Sequence, residues 1–166
     1  MIGIEDGNIL VDANSSPVGV WGFTVYDGDV FYNEHGRVMN EILHQWHQTN
    51  LITTAGKGLI LDRIFGLASV VTIAGTAVGT SATAAAVGDT AITGAVYQAF
   101  DATPTRSGLV VTAITTFGTS GANINIQEAG LLTTGGGTLL NRLAPVLSFT
   151  KTSAMSLAIS TTISQS

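Results

Sequence analysis

The 166-residue chain is 45% apolar, only 10% charged, and carries a formal net charge of −5. Six Lys and Arg against eleven Asp and Glu give no basic footprint for a phosphate backbone, and the high apolar content excludes a disordered chain. The absence of cysteine excludes disulfides, zinc–thiolate sites and thiol catalysis.

The length suits one domain, divided here into an N-terminal arm over residues 1–17 and a single domain over 18–166. The arm holds a short apolar run, Ile9-Leu10-Val11, and then a turn cluster ending at Pro17. Its opening, MIGIEDGNIL, lacks the basic and long apolar regions of a signal peptide. No run of about 18 apolar residues occurs, so no transmembrane helix is expected.

Residues 20–26 (VWGFTVY) alternate as a strand. Asp27-Gly28-Asp29 signals a turn, which makes Val30-Phe31-Tyr32 the expected return strand of a hairpin. Residues 37–50 fit two periods. As a strand they place Val38, Ile42, His44 and Trp46 on one face; as a helix they group Met39, Ile42, Leu43 and Trp46. The strand is preferred because the segment follows a hairpin-like turn. Residues 53–67 (TTAGKGLILDRIFGL) predict the one helix, capped by Thr53 or Thr54 and stopped at Gly66. Ile60, Ile64 and Leu67, widened by Leu59 and Phe65, form its core-facing stripe.

Period two then takes over. Val70–Ile73 is expected as a strand, residues 74–90 as a Gly/Ala/Thr-rich loop, and residues 91–100 remain open between strand and helix. Leu109–Phe117 reads as a strand covered on both faces, Ile124 and Ile126 as a short strand, and Met155–Ile163 as a half-buried strand. Gly135-Gly136-Gly137 marks a turn. The expected fold is mainly β, an antiparallel β-sandwich of jelly-roll type with one short helix.

Charge is unevenly spread. Residues 1–62 hold eight acids and two basic residues, a net of −6, with all three histidines and both tryptophans; residues 63–166 hold three acids and four basic residues, a net of +1. A metal site could be drawn from Glu41, His44 and His47, but only one E-x-x-H unit exists, and a strand would send His44 and His47 to opposite faces. Gly56-Lys57-Gly58 fails the phosphate-loop pattern, because Leu51 and Gly58 stand where Gly and Ser/Thr are required. No G-x-S-x-G elbow selects a nucleophile. Glu128 and Asp89 lie in nearly uncharged segments, with Arg106 and Arg142 as their available partners. A structural or inter-subunit ion pair fits them better than catalysis. Trp21, Trp46, Tyr26, Phe31 and Tyr32 fit packing better than sugar binding. Neither a cofactor nor an enzymatic activity is expected.

From residue 50 onward an ordered set of motifs accumulates: NLITTAG (50–56), IAGTAVGTSATAAAVGDTAI (73–92), a strand ending TFG (116–118), IQEAGL (126–131), GTLLNR (137–142) and the final alternating strand. In this order they resemble a group of tailed-bacteriophage virion proteins. The resemblance implies a non-enzymatic structural component of the virion, either a capsid decoration (cement) protein or part of a fibre, neck or tail adaptor. It further implies a location on the capsid surface after synthesis in the host cytoplasm, a homotrimer, and the major capsid protein as partner. Nucleic acid and membrane are not expected partners. Glu128, Gly130, Arg142 and Asp89 carry over as structural positions. The first 49 residues match least. Ile9, Leu10 and Val11, with Trp21 and Trp46, are accordingly the expected shell-attachment residues, since an arm can add a strand to an exposed sheet edge.

Overall fold

A computed structural model describes residues 3–5, 8–10, 18–31, 33–35, 37–67, 71–133, 137–146 and 149–164, with 3–5, 8–10 and 18 as backbone only. The chain is mainly β, with 47% strand, antiparallel sheets and, among the described residues, one short helix. In chain order come β1 (Gly3–Glu5), β2 (Asn8–Leu10), β3 (Val18–Asp27), β4 (Ile42–Thr49) and β5 (Leu51–Ile52). Helix α1 (Thr54–Phe65) follows, then β6 (Gly75–Gly79), β7 (Val96–Ala99), β8 (Thr105–Ser107) and β9 (Val110–Phe117). The last elements are β10 (Asn125–Ile126), β11 (Glu128–Leu132), β12 (Leu139–Leu143), β13 (Phe149–Thr150) and β14 (Met155–Ser164).

Two five-stranded sheets dominate, ordered β4-β3-β14-β9-β8 and β5-β12-β11-β6-β7. The pairs β1–β2 and β10–β13 stand apart from them. In the first sheet β14 is central, pairing with β3 from Met155↔Asp27 to Ser164↔Val18 and with β9 along its other edge. Its alternation follows from one covered face. Leu157, Ile159 and Thr161 are buried, and they meet Trp21, Phe23 and Val25 of β3 and Phe117 of β9. The second sheet contributes Val78, Ala129, Leu131, Leu140 and Leu143 to the same core. Thr76 and Thr115 tie the two sheets together through buried hydroxyls 2.8 Å apart.

Strands β6, β11 and β12 are buried along their whole length. One face meets the first sheet; the other carries a second cluster of Ala77, Ile92, Leu132 and Leu139. A strand covered on both faces has no polar side to alternate with. That is why GTAVG, expected within a loop, is β6. Its small residues are needed there: a Cβ on Gly79 would run into Ile92, the Thr93 carbonyl and Glu128. Val71–Ile73, expected as a strand, is irregular, with residue 70 outside the described residues. Residues 91–100 resolve into a turn and β7.

On the edge of β3 away from β14 the partner is β4, not the expected return strand at Val30-Phe31, and Tyr32 lies outside the described residues. Phe31 lies in the connection, where its N–H donates to Asn40 Oδ1 (2.7 Å), while Asn40 Nδ2 donates to the Asp27 and Asp29 carbonyls. Residues 42–49 take the strand form of their ambiguous segment. The outer face of β9 is open, with Ile114 48% exposed, rather than covered as expected.

Helix α1 begins and ends where its caps dictate. Thr53 Oγ1 accepts the Gly56 N–H at 3.0 Å and donates to the Leu139 carbonyl at 2.7 Å, so one hydroxyl both caps the helix and ties it to β12. Gly66 closes it in the left-handed region (φ 63°). Gly56 is the buried residue of the helix, because a Cβ there would overlap the Leu140 carbonyl. The expected core-facing stripe is not buried: Ile64 and Leu67 are 67% and 73% exposed, and Phe65 is 68% exposed. Docking at the N-terminal turn lifts the rest of the helix away from the sheets. Among the described residues, no helix is long and apolar enough to cross a membrane.

Candidate functional site

The charged residues singled out from sequence converge on the outer side of the second sheet. The β11–β12 register places Arg142 opposite Gly130, so its long side chain reaches Glu128 two positions along the neighbouring strand. Arg142 Nε donates to Glu128 Oε2 at 2.7 Å, and Arg142 Nη1 donates to Asp89 Oδ2 at 2.7 Å. Nη2 donates to the Thr83 carbonyl at 3.1 Å. Glu128 is fully buried, and its Oε1 accepts the N–H groups of Ser81 (3.1 Å) and Thr93 (2.8 Å). Asp89 Oδ2 also accepts the Ala86 N–H at 2.8 Å.

The 80–95 segment is therefore tied down at both ends and in its middle by one ionic cluster. The Ala86 N–H, followed by the Arg142 side chain, holds the Asp89 carboxyl below its ordinary range. Burial works to lower the Arg142 pKa, but Asp89 and Glu128 more than offset it and keep the guanidinium charged. Both Glu128 oxygens are engaged, and these residues do not line the grooves described below. The arrangement fixes the loop. Arg106, the other expected partner, is not in the cluster. It sits on the exposed edge strand β8 and donates to the Gly108 carbonyl at 2.9 Å.

Lys151 is a second polar centre that the sequence reading missed. Its ammonium is buried and donates to the Gly118 carbonyl (2.7 Å) and Asn123 Oδ1 (3.0 Å). Burial lowers its pKa, opposed by the charge of Asp29. Asp29 Oδ1 accepts the Thr119 N–H at 2.9 Å, and this bond, more than the Thr119 side chain, lowers its own pKa. The one available signal was a lysine alone in a neutral stretch, SFTKTS.

The expected attachment residues separate. Trp21 is fully buried in the shared core, so it is not a surface contact. An indole in β3 that faces the opposite sheet has no route to a partner. Trp46 is half-buried, stacked on Phe23 (ring centroids 4.9 Å, interplanar 6°) and edge-on to Phe149. Ile9 and Leu10 belong to β2, and Val11 lies outside the described residues. On β4, His44 stands edge-on to Trp46, whereas His47 lies over Gly22. Among the described residues no three His, Asp or Glu side chains are grouped to hold a metal ion.

One concave feature among the described residues is largely apolar. A groove of about 370 Å³ runs between α1 and the sheets, lined chiefly by Ile52, Leu59, Ile60, Val71, Ile73 and Ile163. A second groove of about 180 Å³ shares Ile73, Leu140 and Ile163 with it. The polar residues that line them are Arg63 and Thr72 in the first and Thr161 in the second. Compared with known proteins, the chain matches no family model, no curated protein and no solved structure.

Proposed function

We propose that this chain is a non-enzymatic structural protein of a tailed-bacteriophage virion: a capsid decoration protein, made in the host cytoplasm, that binds the outer capsid surface as a homotrimer and stabilises the shell. The observation that carries this is where the virion-type motifs fall. Gly75–Gly79, Asp89, Glu128–Leu131 and Leu139–Arg142 lie on three adjacent buried strands and on the loop that their ion cluster pins. They build a scaffold, as the resemblance implies. Two five-stranded antiparallel sheets around one core further support a β-sandwich of jelly-roll type.

Shell contact is assigned to the Ile9–Val11 arm and to the surface beside Trp46, in the acidic third of the chain. Binding energy summed over many copies is the mechanism, each copy clamping neighbouring capsid subunits. The test is stoichiometry on purified particles. Decoration requires hundreds of copies per capsid, and capsids lacking the protein lose heat resistance. A handful of copies at the tail would move the protein to a fibre, neck or tail adaptor.

A further inference from the structure

Lys151 is 1% exposed, and a lysine buried this deeply is normally paired with a carboxylate. Among the described residues the acceptors of its ammonium are neutral: the Gly118 carbonyl at 2.7 Å, Asn123 Oδ1 at 3.0 Å and, at 3.5 Å, the Thr152 carbonyl. Asp29 acts on it through its charge, while Asp29 Oδ1 accepts the Thr119 N–H. Burial outweighs that charge and favours the neutral amine, which is a nucleophile. Asn123 is held as firmly. Its Nδ2 donates to the Thr119 carbonyl at 2.9 Å while its Oδ1 faces the amine. The backbone keeps the two residues side by side. The Lys151 N–H donates to the Ile124 carbonyl at 3.1 Å, and β10 and β13 continue the pairing through Asn125↔Thr150 and Ile126↔Phe149. Just before Asn123, the buried Ala122 stands in the left-handed region (φ 52°), a strained state for a residue with a Cβ and one that recurs at functional sites.

We infer that Lys151 and Asn123 join through a covalent amide cross-link between their side chains. The ammonium gives one proton to solvent, and the neutral nitrogen bonds to Asn123 Cγ. The Cγ–Nδ2 bond breaks, and Nδ2 leaves as ammonia with a second proton from the lysine nitrogen. No oxidant or further reactant is consumed. The contact with Oδ1 sets the nitrogen beside the carbon it attacks, and fixing both groups in one molecule supplies the proximity the step needs. Asn123 is exposed, which gives the ammonia a way out. The bond closes residues 124–150 into a ring that contains β11 and β12, and with them Glu128 and Arg142. Such a ring removes freedom from the unfolded chain, as a disulfide does. The cross-link does not depend on the proposed function.

The experiment is tryptic mapping by mass spectrometry of the purified, folded full chain, beside the variant Asn123→Ala. In this part of the chain trypsin cuts after Arg106, Arg142 and Lys151. The wild type is expected to give residues 107–142 joined to 143–166, lighter by one ammonia than the two peptides together, with no cleavage after Lys151. Asn123→Ala should release 107–142, 143–151 and 152–166 as separate peptides. Separate, full-mass peptides from the wild type overturn the inference. So does ammonia lost from 107–142 with the peptides unjoined, which marks a cyclic imide in the backbone instead. A joined species that persists in Asn123→Ala places the bond elsewhere and overturns it as well. The wild-type map decides the matter even where the variant folds poorly.

Discussion

Replacing Glu128 tests whether the ionic cluster holds the fold. Glu128→Ala removes the fully buried partner of Arg142, whose side chain is 5% exposed, and leaves Asp89, itself 26% exposed, as its remaining carboxylate. Breaking one side of a buried pair costs about 3–5 kcal/mol, because the other charge stays buried and undercompensated. The N–H groups of Ser81 and Thr93 also lose their acceptor, but both residues lie near the surface and water can replace it. An expected loss of about 3–4 kcal/mol is a large share of the roughly 5–15 kcal/mol of a typical domain. For this length it lowers Tm by about 6–16 °C. Asp89→Asn, at a partly solvated position, should cost only about 1 kcal/mol. The assay is urea denaturation with a double-mutant cycle against Arg142→Met, where the Glu128–Arg142 coupling should be about 2 kcal/mol. A Glu128→Ala loss below about 1 kcal/mol, or a larger effect at Asp89 than at Glu128, refutes the reasoning.

Other consequences are equally measurable. Asp29 and Asp89 are held below the ordinary carboxylate value, so their stabilisation is complete above that value and lost as pH falls through their lower folded-state values. Asp29→Asn should therefore flatten the acid limb of a stability-against-pH curve, and coincident acid limbs would argue against it. Two glycines of α1 should respond with opposite signs. Gly56→Ala drives a Cβ into the Leu140 carbonyl and should cost about 1–3 kcal/mol. Gly58→Ala meets nothing within 4 Å and should stabilise by about 0.5–1 kcal/mol; thermal melts read both. Lys151→Met strands the Gly118 carbonyl and Asn123 Oδ1 and should cost about 1–3 kcal/mol by urea titration.

What the sequence disclosed depended on asymmetry of environment. Strand β14 was readable because one face is buried and the other is not, and α1 because Thr53 and Gly66 terminate it locally. Strand β6 was opaque for the opposite reason: with both faces covered, small residues replace alternation and imitate a loop. The exposed stripe of α1 was equally invisible, since periodicity reports that a face is apolar and not what covers it. Scarcity of charge narrowed the ion cluster to a few candidates. The choice of Arg142 over Arg106, however, is made by the β11–β12 register, a long-range property with no local signal. Trp21 and Trp46 show the same limit, as neighbouring strands sent one indole into the core and left the other at its margin.

The pairing of β3 with β14 has a mechanical consequence. Because Val18 lies opposite Ser164, chain entering the first sheet and chain leaving it do so side by side. A pull applied through those two points strips the antiparallel ladder one rung at a time from that end, instead of loading all its hydrogen bonds together. The ladder is thus weak when loaded through Val18 and Ser164. Loaded instead along the strands from opposite ends, the same ladder would share the force among all its hydrogen bonds at once.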